Sequence, residues 1–167
     1  MIKRYAVSGA IVSAALLVSV ILQEGYTDHA VIPVPGDIPT IGPGRTGKDV
    51  HLGDKTTVPR EMVFLLNNLE TRYAAGIREC IRVPLAQYEF DALVDLAYNA
   101  GPRAVCAEIA PRFNNARTDE DYLEACSVIR TWRTTVNHND CRDPKFNCRG
   151  LITRRQKEYE KCSGIPS

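Results

Sequence analysis

Two carboxylates beside a short predicted β segment are the residues with the most evident chemistry. Glu24 precedes a stretch rich in glycine and proline, and Asp37 lies in a predicted turn within that stretch. Hydrolysis of a glycosidic bond requires a protonated acid and a second group that handles water or the developing cation. The two carboxylates can fill these roles if the chain folds back at the turn. The chain has 20 acidic residues, however, so Glu24 can equally flank a helix, and Asp37 can bind its own backbone.

Other kinds of site lack their sequence signatures. The chain has no phosphate-binding Walker loop, no G-x-S-x-G and no H-E-x-x-H. No closely spaced cysteine pair suggests zinc, and the histidines are scattered along the chain: His29, His51 and His138. We therefore expect neither a cofactor nor a metal. The net charge of +1 gives no reason to expect a nucleic-acid partner.

The N-terminal segment has the features of a membrane anchor. Lys3 and Arg4 precede residues 5–22, which carry no charge and form a helix of about 27 Å, barely the hydrocarbon thickness of a bilayer. The two cations should stay in the cytoplasm and the rest of the chain outside it. A cleaved signal peptide is the alternative, but cleavage would fall inside the apolar run because Glu24 follows it so closely. The sequence predicts an uncleaved, weakly hydrophobic anchor over residues 1–23.

Six cysteines lie in the C-terminal half of the chain: Cys80, Cys106, Cys126, Cys141, Cys148 and Cys162. An even number of cysteines in a short exported chain predicts disulfides and an oxidising compartment. Buried free thiols are the alternative. Six cysteines can pair in many ways, and a local Cys141–Cys148 loop is the simplest pairing.

The body of the chain, residues 24–167, is predicted to fold as one mostly helical α+β domain. Strands are expected at Val31–Ile32 and Thr40–Ile41, joined by a turn over residues 35–37. Further helices are expected to start after Thr57 and to cover residues 85–99, 104–113, 119–133 and 151–161. Residues 134–147 are expected to be a loop held by cysteines. The arrangement predicts a small β-hairpin lobe, a helical lobe and a cleft between them.

The helix after Thr57 has a clear apolar stripe. Thr57 can cap it, with Pro59 and Glu61 in the first turn. The stripe has helical spacing and is expected to lie in the core: Met62, Leu65, Leu66, Leu69, Tyr73 and Ile77.

Four motifs follow one another between residue 24 and about residue 160. Glu24-Gly25 is followed by T-I-G-P-G-R-T at residues 40–46. Next come Q-Y-E-F-D-A-L-V at 87–94 with Y-N-A-G at 98–101, and then Trp132 with G-L-I-T-R-R at 150–155. Their types and order resemble the phage-type lysozymes, the endolysins of glycoside hydrolase family 24. Together with the anchor they resemble its membrane-tethered, signal-arrest-release branch.

This resemblance implies a lysozyme-like fold and roles for particular side chains. Glu24 would be the general acid, and the Thr40 hydroxyl would help to place the attacking water. Asn99, Arg149 and Arg154 could face the substrate, although core and surface roles are equally open. The implied reaction is hydrolysis of the β-1,4 bond between N-acetylmuramic acid and N-acetylglucosamine in peptidoglycan, which causes lysis of the host cell.

One departure from the family pattern concerns the second catalytic group. The family usually has an Asp or Cys in the hairpin between the Glu and the Thr, where this chain has Pro33 and Val34. Asp37 is the nearest carboxylate and our choice for that group, with Asp28 as the spare. The inverting or retaining outcome stays open.

Control by the membrane is the final expectation. The anchor would hold the enzyme, expected to be a monomer, at the host inner membrane with its catalytic domain in the periplasm. Loss of the membrane potential, the trigger that the family implies, would release residues 1–22 to pack on the body and bring Glu24 into register. Two alternatives remain: a lytic transglycosylase, and a non-catalytic peptidoglycan-binding envelope protein.

Overall fold

A computed structural model describes residues 2–165 and divides them into two compact units. The hairpin unit comprises Val12–Arg72, and the helical unit comprises residues 2–11 and 73–165. The architecture confirms the predicted mostly helical α+β class.

The hairpin unit begins with a helix and a small sheet. Its elements are α1 (Ala14–Glu24), β1 (Thr27–Val31), β2 (Thr40–Gly42), β3 (Arg45–Thr46) and α2 (Val58–Asn68). The strands are antiparallel in the order β1-β2-β3, with Val31 opposite Thr40 and Thr40 opposite Thr46. The predicted strand pair is confirmed, but β1 begins earlier than expected and ends at Val31, so Ile32 lies outside it; Pro35 and Gly36 form the predicted turn.

The buried apolar side chains of the hairpin unit come from both helices, from β1 and β2, and from the segment after β3. Ala30, Ile41 and Val50 form one buried cluster. Leu16, Leu17 and Val20 of α1 are buried as well, and α1 contacts α2. Apolar side chains from the predicted anchor segment thus belong to the packed interior of the protein.

The predicted cap and the predicted apolar stripe of α2 are each confirmed only in part. Thr57 is the cap residue, but its side chain makes no capping hydrogen bond, and its carbonyl instead accepts from the Glu61 amide at 3.1 Å. Of the predicted stripe, Leu65, Leu69 and Ile77 are buried, Met62 and Tyr73 are half-buried, and Leu66 is exposed. The prediction for Leu66 was wrong, because this residue follows the buried Leu65 directly in the helix and lies at the solvent-exposed edge of the stripe.

The helical unit contains the remaining elements: α3 (Ala75–Cys80), α4 (Gln87–Ala100), α5 (Pro102–Glu108), α6 (Ala110–Asn115), α7 (Asp119–Ser127), β4 (Thr135–Val136), β5 (Asn139–Asp140) and α8 (Arg149–Cys162). Helix α4 is central, with Phe90, Leu93, Val94 and Ala97 fully buried as predicted, and Gly101 ends it with φ of 85°.

Two predicted helices of this unit are shorter than expected. The segment 104–113 is divided at Ile109, because Pro111 has no amide proton for a continuous helix. The segment 119–133 ends as α7 at Ser127 and continues as a 3-10 turn over Val128–Thr131. The predicted loop 134–147 contains the short pair β4–β5, which the sequence did not indicate.

All six cysteines form disulfides within the helical unit. The pairs are Cys80–Cys106, Cys126–Cys162 and Cys141–Cys148. This confirms the predicted disulfide framework and the predicted local pair Cys141–Cys148.

The N-terminal segment is not one continuous helix. Residues Val7–Gly9 form a 3-10 turn, the backbone at Ala10 and Ser13 is extended, and α1 starts at Ala14, where the Ser13 hydroxyl accepts from the Leu16 amide at 3.1 Å. No helix within residues 2–165 combines the length and apolar character needed to cross a membrane. The single helix predicted over residues 5–22 is therefore replaced here by two shorter helical pieces.

Candidate active site

Glu24 is the last residue of α1 and is exposed. The helix ends directly after it because Gly25 adopts φ of 77°, and the Gly25 amide still donates to the Ile21 carbonyl at 3.0 Å. The candidate acid therefore sits at a defined helix end.

The turn between β2 and β3 lies against the Glu24 side chain. Pro43 and Gly44 form this turn, and the positive φ of 76° at Gly44 is a conformation that glycine adopts without strain. A Cβ added at Gly44 would lie 3.5 Å from Glu24 Oε2. The second glycine of the T-I-G-P-G-R-T motif thus lies against the carboxylate, where an added Cβ would make an ordinary van der Waals contact.

Thr40 starts β2 and holds the base of the same hairpin. It lies opposite Val31 on one side and Thr46 on the other, and it is half-exposed. Its hydroxyl donates to the Ile38 carbonyl at 3.3 Å. One short sheet thus carries both Thr40 and the turn that contacts Glu24.

Asp37 is exposed in the loop between β1 and β2. Its Oδ1 accepts from the Ile38 amide at 2.8 Å, and its own amide donates to the Val34 carbonyl at 3.0 Å. These are the contacts of a turn residue, and its catalytic role stays a prediction. The spare carboxylate, Asp28, forms a hydrogen bond of 2.6 Å with His29 Nδ1, which lowers the pKa of Asp28.

Glu61 is a buried carboxylate that the sequence placed only in the first turn of a helix. It is 1% exposed and accepts from Arg45 Nε at 2.8 Å, Arg45 Nη2 at 3.0 Å and Thr56 Oγ1 at 2.6 Å. A Cβ at Gly42 would lie only 2.5 Å from Glu61 Cγ, so this side chain packs on bare hairpin backbone. Burial raises the pKa of Glu61, but the hydrogen bonds from Arg45 and Thr56 outweigh it, and the pKa is lowered.

The Glu61–Arg45 pair explains how the hairpin is held. Arg45 belongs to β3 and also pairs with Asp49 at 2.7 Å, while its guanidinium lies 4.5 Å from the centre of the Phe64 ring. The pair joins α2 to the strand next to Thr40. The arginine within the motif was the available signal, but its partner could not be identified from spacing.

Two hydroxyls follow Glu24 and Gly25 directly in the chain. Among the described residues, Tyr26 Oη and Thr27 Oγ1 are buried atoms without a hydrogen-bond partner. Burial raises the pKa of Tyr26, and the charges of Asp28 and Glu61 add to that effect. Neither residue belongs to a motif or pattern that would have singled it out.

The three predicted substrate residues lie in the helical unit. Asn99 Nδ2 donates to the Asp95 carbonyl at 2.9 Å and to Glu158 Oε1 at 3.2 Å, and Arg154 donates to Asn99 Oδ1. The structure thus brings Asn99 and Arg154 together in a network between α4 and α8. Arg149 is exposed at the start of α8. Their roles toward substrate stay predictions.

A buried charged network surrounds Asn99. Arg155 pairs with Glu158, and Lys161 pairs with Asp95; both carboxylates are almost fully buried. Burial raises the pKa of Glu158 and outweighs the charge of Arg155. Arg155 Nε also donates to the Trp132 carbonyl at 3.0 Å, so this motif residue is tied into the same network.

Comparison with known proteins identifies the family of this chain. The phage lysozyme family model matches residues 22–158. The chain belongs to the phage lysozyme family. It is 32% identical to the SAR-endolysin of Pseudomonas phage phiKMV over 150 residues, which cover 89% of this chain and 86% of that protein. It is 31% identical to the endolysin of Salmonella phage P22 over 125 residues, which cover 72% and 77% of the two chains.

Solved structures of relatives have the same fold. The endolysin from Escherichia coli O157:H7 phage FAHEc1 superimposes with a TM-score of 0.75 at 27% identity, covering 96% of both chains. A P22 lysozyme mutant gives 0.72 at 26% identity, covering 90% of this chain and 97% of the other. Membership of this family assigns the chain lysozyme (muramidase) activity. It argues against the alternative of a non-catalytic envelope protein.

Proposed function

We propose that this lysozyme hydrolyses the β-1,4 bond between N-acetylmuramic acid and N-acetylglucosamine, with Glu24 as the general acid. The observation that carries the proposal is the exposed position of Glu24 at the end of α1, against the turn at Gly44. A sugar oxygen needs such access to accept the proton of the acid. Family membership supports the same reaction class.

Thr40 and Asp37 are proposed as the groups that handle the attacking water. Thr40 lies on the sheet whose turn contacts Glu24, which supports a role in placing water. Asp37 is the carboxylate nearest in sequence to the place occupied by Pro33, and its exposed loop leaves the side chain accessible.

Analysis of fragments from purified peptidoglycan tests this assignment. Reducing muramic ends should be released by the native chain, and release should fall by at least about 100-fold for Glu24→Gln, which removes the acid. Asp37→Asn should reduce the rate if Asp37 acts on water, whereas Asp54→Asn, an exposed carboxylate of another loop, is the matched control. Anhydro-muramic ends would instead indicate a lytic transglycosylase. Unchanged release by Glu24→Gln would exclude its role as the acid.

We further propose that the host inner membrane controls this activity. In the anchored form residues 5–22 would span the membrane, with the N-terminus in the cytoplasm and the catalytic domain in the periplasm. Residues 14–22 also belong to α1, which carries Glu24. Since one segment cannot lie in the bilayer and pack in the hairpin unit at the same time, the anchored form lacks a complete site. Release into the periplasm then activates the enzyme and leads to lysis.

Two observations support this control. The burial of Leu16, Leu17 and Val20 in the protein gives the released segment a place to pack. In addition, the similar phiKMV protein is named a SAR-endolysin, a name that implies release from the membrane.

The affinity of the anchor for the membrane can be raised without changing the protein core. Ala6, Ser8 and Gly9 are exposed, and a Cβ added at Gly9 would meet nothing within 4 Å. Leucine at all three positions should favour the membrane and delay lysis of cells that express the full chain. The matched control, Ser8→Ala with Gly9→Ala, should lyse close to the native time. Native timing with the three leucines would refute membrane control.

A further inference from the structure

The N-terminal segment occupies a polar surface of the helical unit that is built to receive it. Arg4 Nε donates to Glu89 Oε2 at 2.9 Å, and Arg4 Nη2 donates to Glu89 Oε1 at 2.7 Å. Arg4 Nη1 pairs with Asp119, and the guanidinium lies 3.7 Å from the centre of the Tyr122 ring. One planar cation thus has two carboxylates and an aromatic face as partners, a combination that favours arginine over lysine.

The backbone of the same segment is bound at two further places. Tyr5 and Leu85 exchange a pair of amide–carbonyl hydrogen bonds, each of 2.9 Å. Arg78 Nε donates to the Ala10 carbonyl at 2.9 Å, and Gln87 Nε2 donates to the Ile11 carbonyl at 2.9 Å. We call these partners of the segment the receptor surface: Arg78, Leu85, Gln87, Glu89, Asp119 and Tyr122.

The charge of Glu89 makes occupancy of this surface important. Its side chain is only 2% exposed, and Arg4 is 11% exposed. In the docked form this carboxylate is shielded from water, and the Arg4 guanidinium supplies the countercharge and the charge-assisted hydrogen bonds in place of water. Glu89 Oε2 also accepts from the Ala86 amide at 2.8 Å, so the carboxylate is held in place at the start of α4.

The anchored form cannot satisfy this surface. If residues 5–22 span the bilayer, Arg4 lies on the cytoplasmic side and Glu89 on the periplasmic side. We propose that the receptor surface is the docking site of the released N-terminus, and that binding of Arg4 by Glu89 and Asp119 holds the enzyme in its released state. This proposal rests on the membrane control described above.

Arg4 would then act in both states of the enzyme. A membrane potential that is negative inside retains a cation on the cytoplasmic side, by about 50-fold in equilibrium for each charge and each 100 mV. Collapse of the potential removes that preference, and the receptor surface then binds the same guanidinium. Lys3 carries the same charge but is exposed in the folded protein, so it shares the response to voltage without the docking contacts.

A pair of conservative substitutions separates docking from charge. Arg4→Lys keeps the charge but loses the paired hydrogen bonds and the flat contact with Tyr122, whereas Lys3→Arg is the matched exchange at the exposed neighbour. Both are made in the full chain that also carries Glu24→Gln, so that cells do not lyse during the measurement. An uncoupler collapses the potential, and the ratio of soluble to membrane-bound protein is measured at long times.

We expect Arg4→Lys to lower this ratio about tenfold and Lys3→Arg to leave it within about twofold of the parent. Glu89→Gln, which changes no charge near the anchor, should also lower it. Hydrogen exchange at the Tyr5 and Leu85 amides of the soluble protein should accelerate in Arg4→Lys, which shows undocking rather than misfolding, and should not change in Lys3→Arg.

If the parent is membrane-bound before the uncoupler is added and Arg4→Lys partitions like the parent, the docking proposal is refuted and membrane control is not. If the parent is soluble before the uncoupler is added, the anchor itself is refuted, and the docking proposal with it.

Discussion

Different kinds of interaction stabilise the interior of the helical unit and the interior of the hairpin unit. Three disulfides lie in the helical unit, whereas Val12–Arg72 contains no cysteine. The hairpin unit relies instead on a small apolar cluster and on the buried pair Arg45–Glu61. The unit that carries Glu24 is therefore the one without covalent cross-links, and its first helix comes from the segment assigned to the anchor. Under the proposed membrane control, residues 73–165 with their disulfides can fold in the anchored form, whereas the hairpin unit is completed only when α1 is released.

The largest expected effect lies in the helical unit. Replacing Cys126 and Cys162 with alanine opens a loop of 36 residues and should lower the free energy of unfolding by about 4 kcal/mol. The same exchange at Cys141 and Cys148, seven residues apart, should cost only about 2 kcal/mol because the closed loop is short. Urea unfolding of both variants measures the difference. Equal losses would mean that loop length does not determine what these disulfides contribute.

A second prediction concerns the buried pair Arg45–Glu61, which stabilises a hairpin unit that has no disulfide. Glu61→Ala leaves Arg45 and Thr56 without their acceptor and should lower the free energy of unfolding by about 3 kcal/mol. Asp49→Asn removes the exposed partner of the same arginine and should cost less than about 0.5 kcal/mol. Urea unfolding checks both values, and hydrogen exchange should localise the first loss to the hairpin. A small effect of Glu61→Ala would show that the apolar cluster alone holds the hairpin.

The smallest expected effects are opposite pH dependences in the two units. The pKa of Glu61 is lowered in the folded protein, so its contribution to stability is present above its ordinary value of 4.5 and is lost as the pH falls through the lowered pKa. The pKa of Glu158 is raised, so its contribution is present below 4.5 and is lost as the pH rises through the raised pKa.

Glutamine at each position tests these signs. Glu61→Gln should reduce the loss of stability on acidification below pH 4.5, and Glu158→Gln should reduce the change between pH 4.5 and neutrality. Thermal unfolding across this range measures both slopes. Slopes that change in the same direction would contradict the assigned directions of the two pKa values.

Local sequence signals predicted the elements of both units but not the contacts that join them. The periodicity of Phe90, Leu93, Val94 and Ala97 was sufficient for α4, because one helix that is buried on all sides needs no partner to be identified. The hairpin followed from its turn residues, and Cys141–Cys148 from its short spacing. The Arg45–Glu61 pair could not be predicted, because helical spacing places Glu61 on a helix without indicating what that helix faces.

The structure of the N-terminus was even harder to predict from local sequence signals. The absence of charge over residues 5–22 predicted one apolar helix. In the structure the backbone at Ala10 and Ser13 is extended, and the Ala10 carbonyl accepts from the Arg78 side chain instead of a helical amide. For the site, motif order pointed to Glu24 and Thr40, and the structure added Gly44 as the neighbour of Glu24. The function of Asp37 depends on water and substrate positions, which residue spacing does not describe.

Under the proposed membrane control, the position of α1 within the anchor segment has a practical consequence for producing this enzyme. Membrane-anchored enzymes are commonly made soluble by deleting the anchor from the gene. Here a deletion of residues 1–22 would remove almost all of α1 together with the buried side chains of Val7, Val12, Leu16, Leu17 and Val20. A purification strategy should therefore keep the N-terminus intact and reduce its affinity for lipid by polar substitutions at Val18 and Leu22, which are exposed in the folded protein.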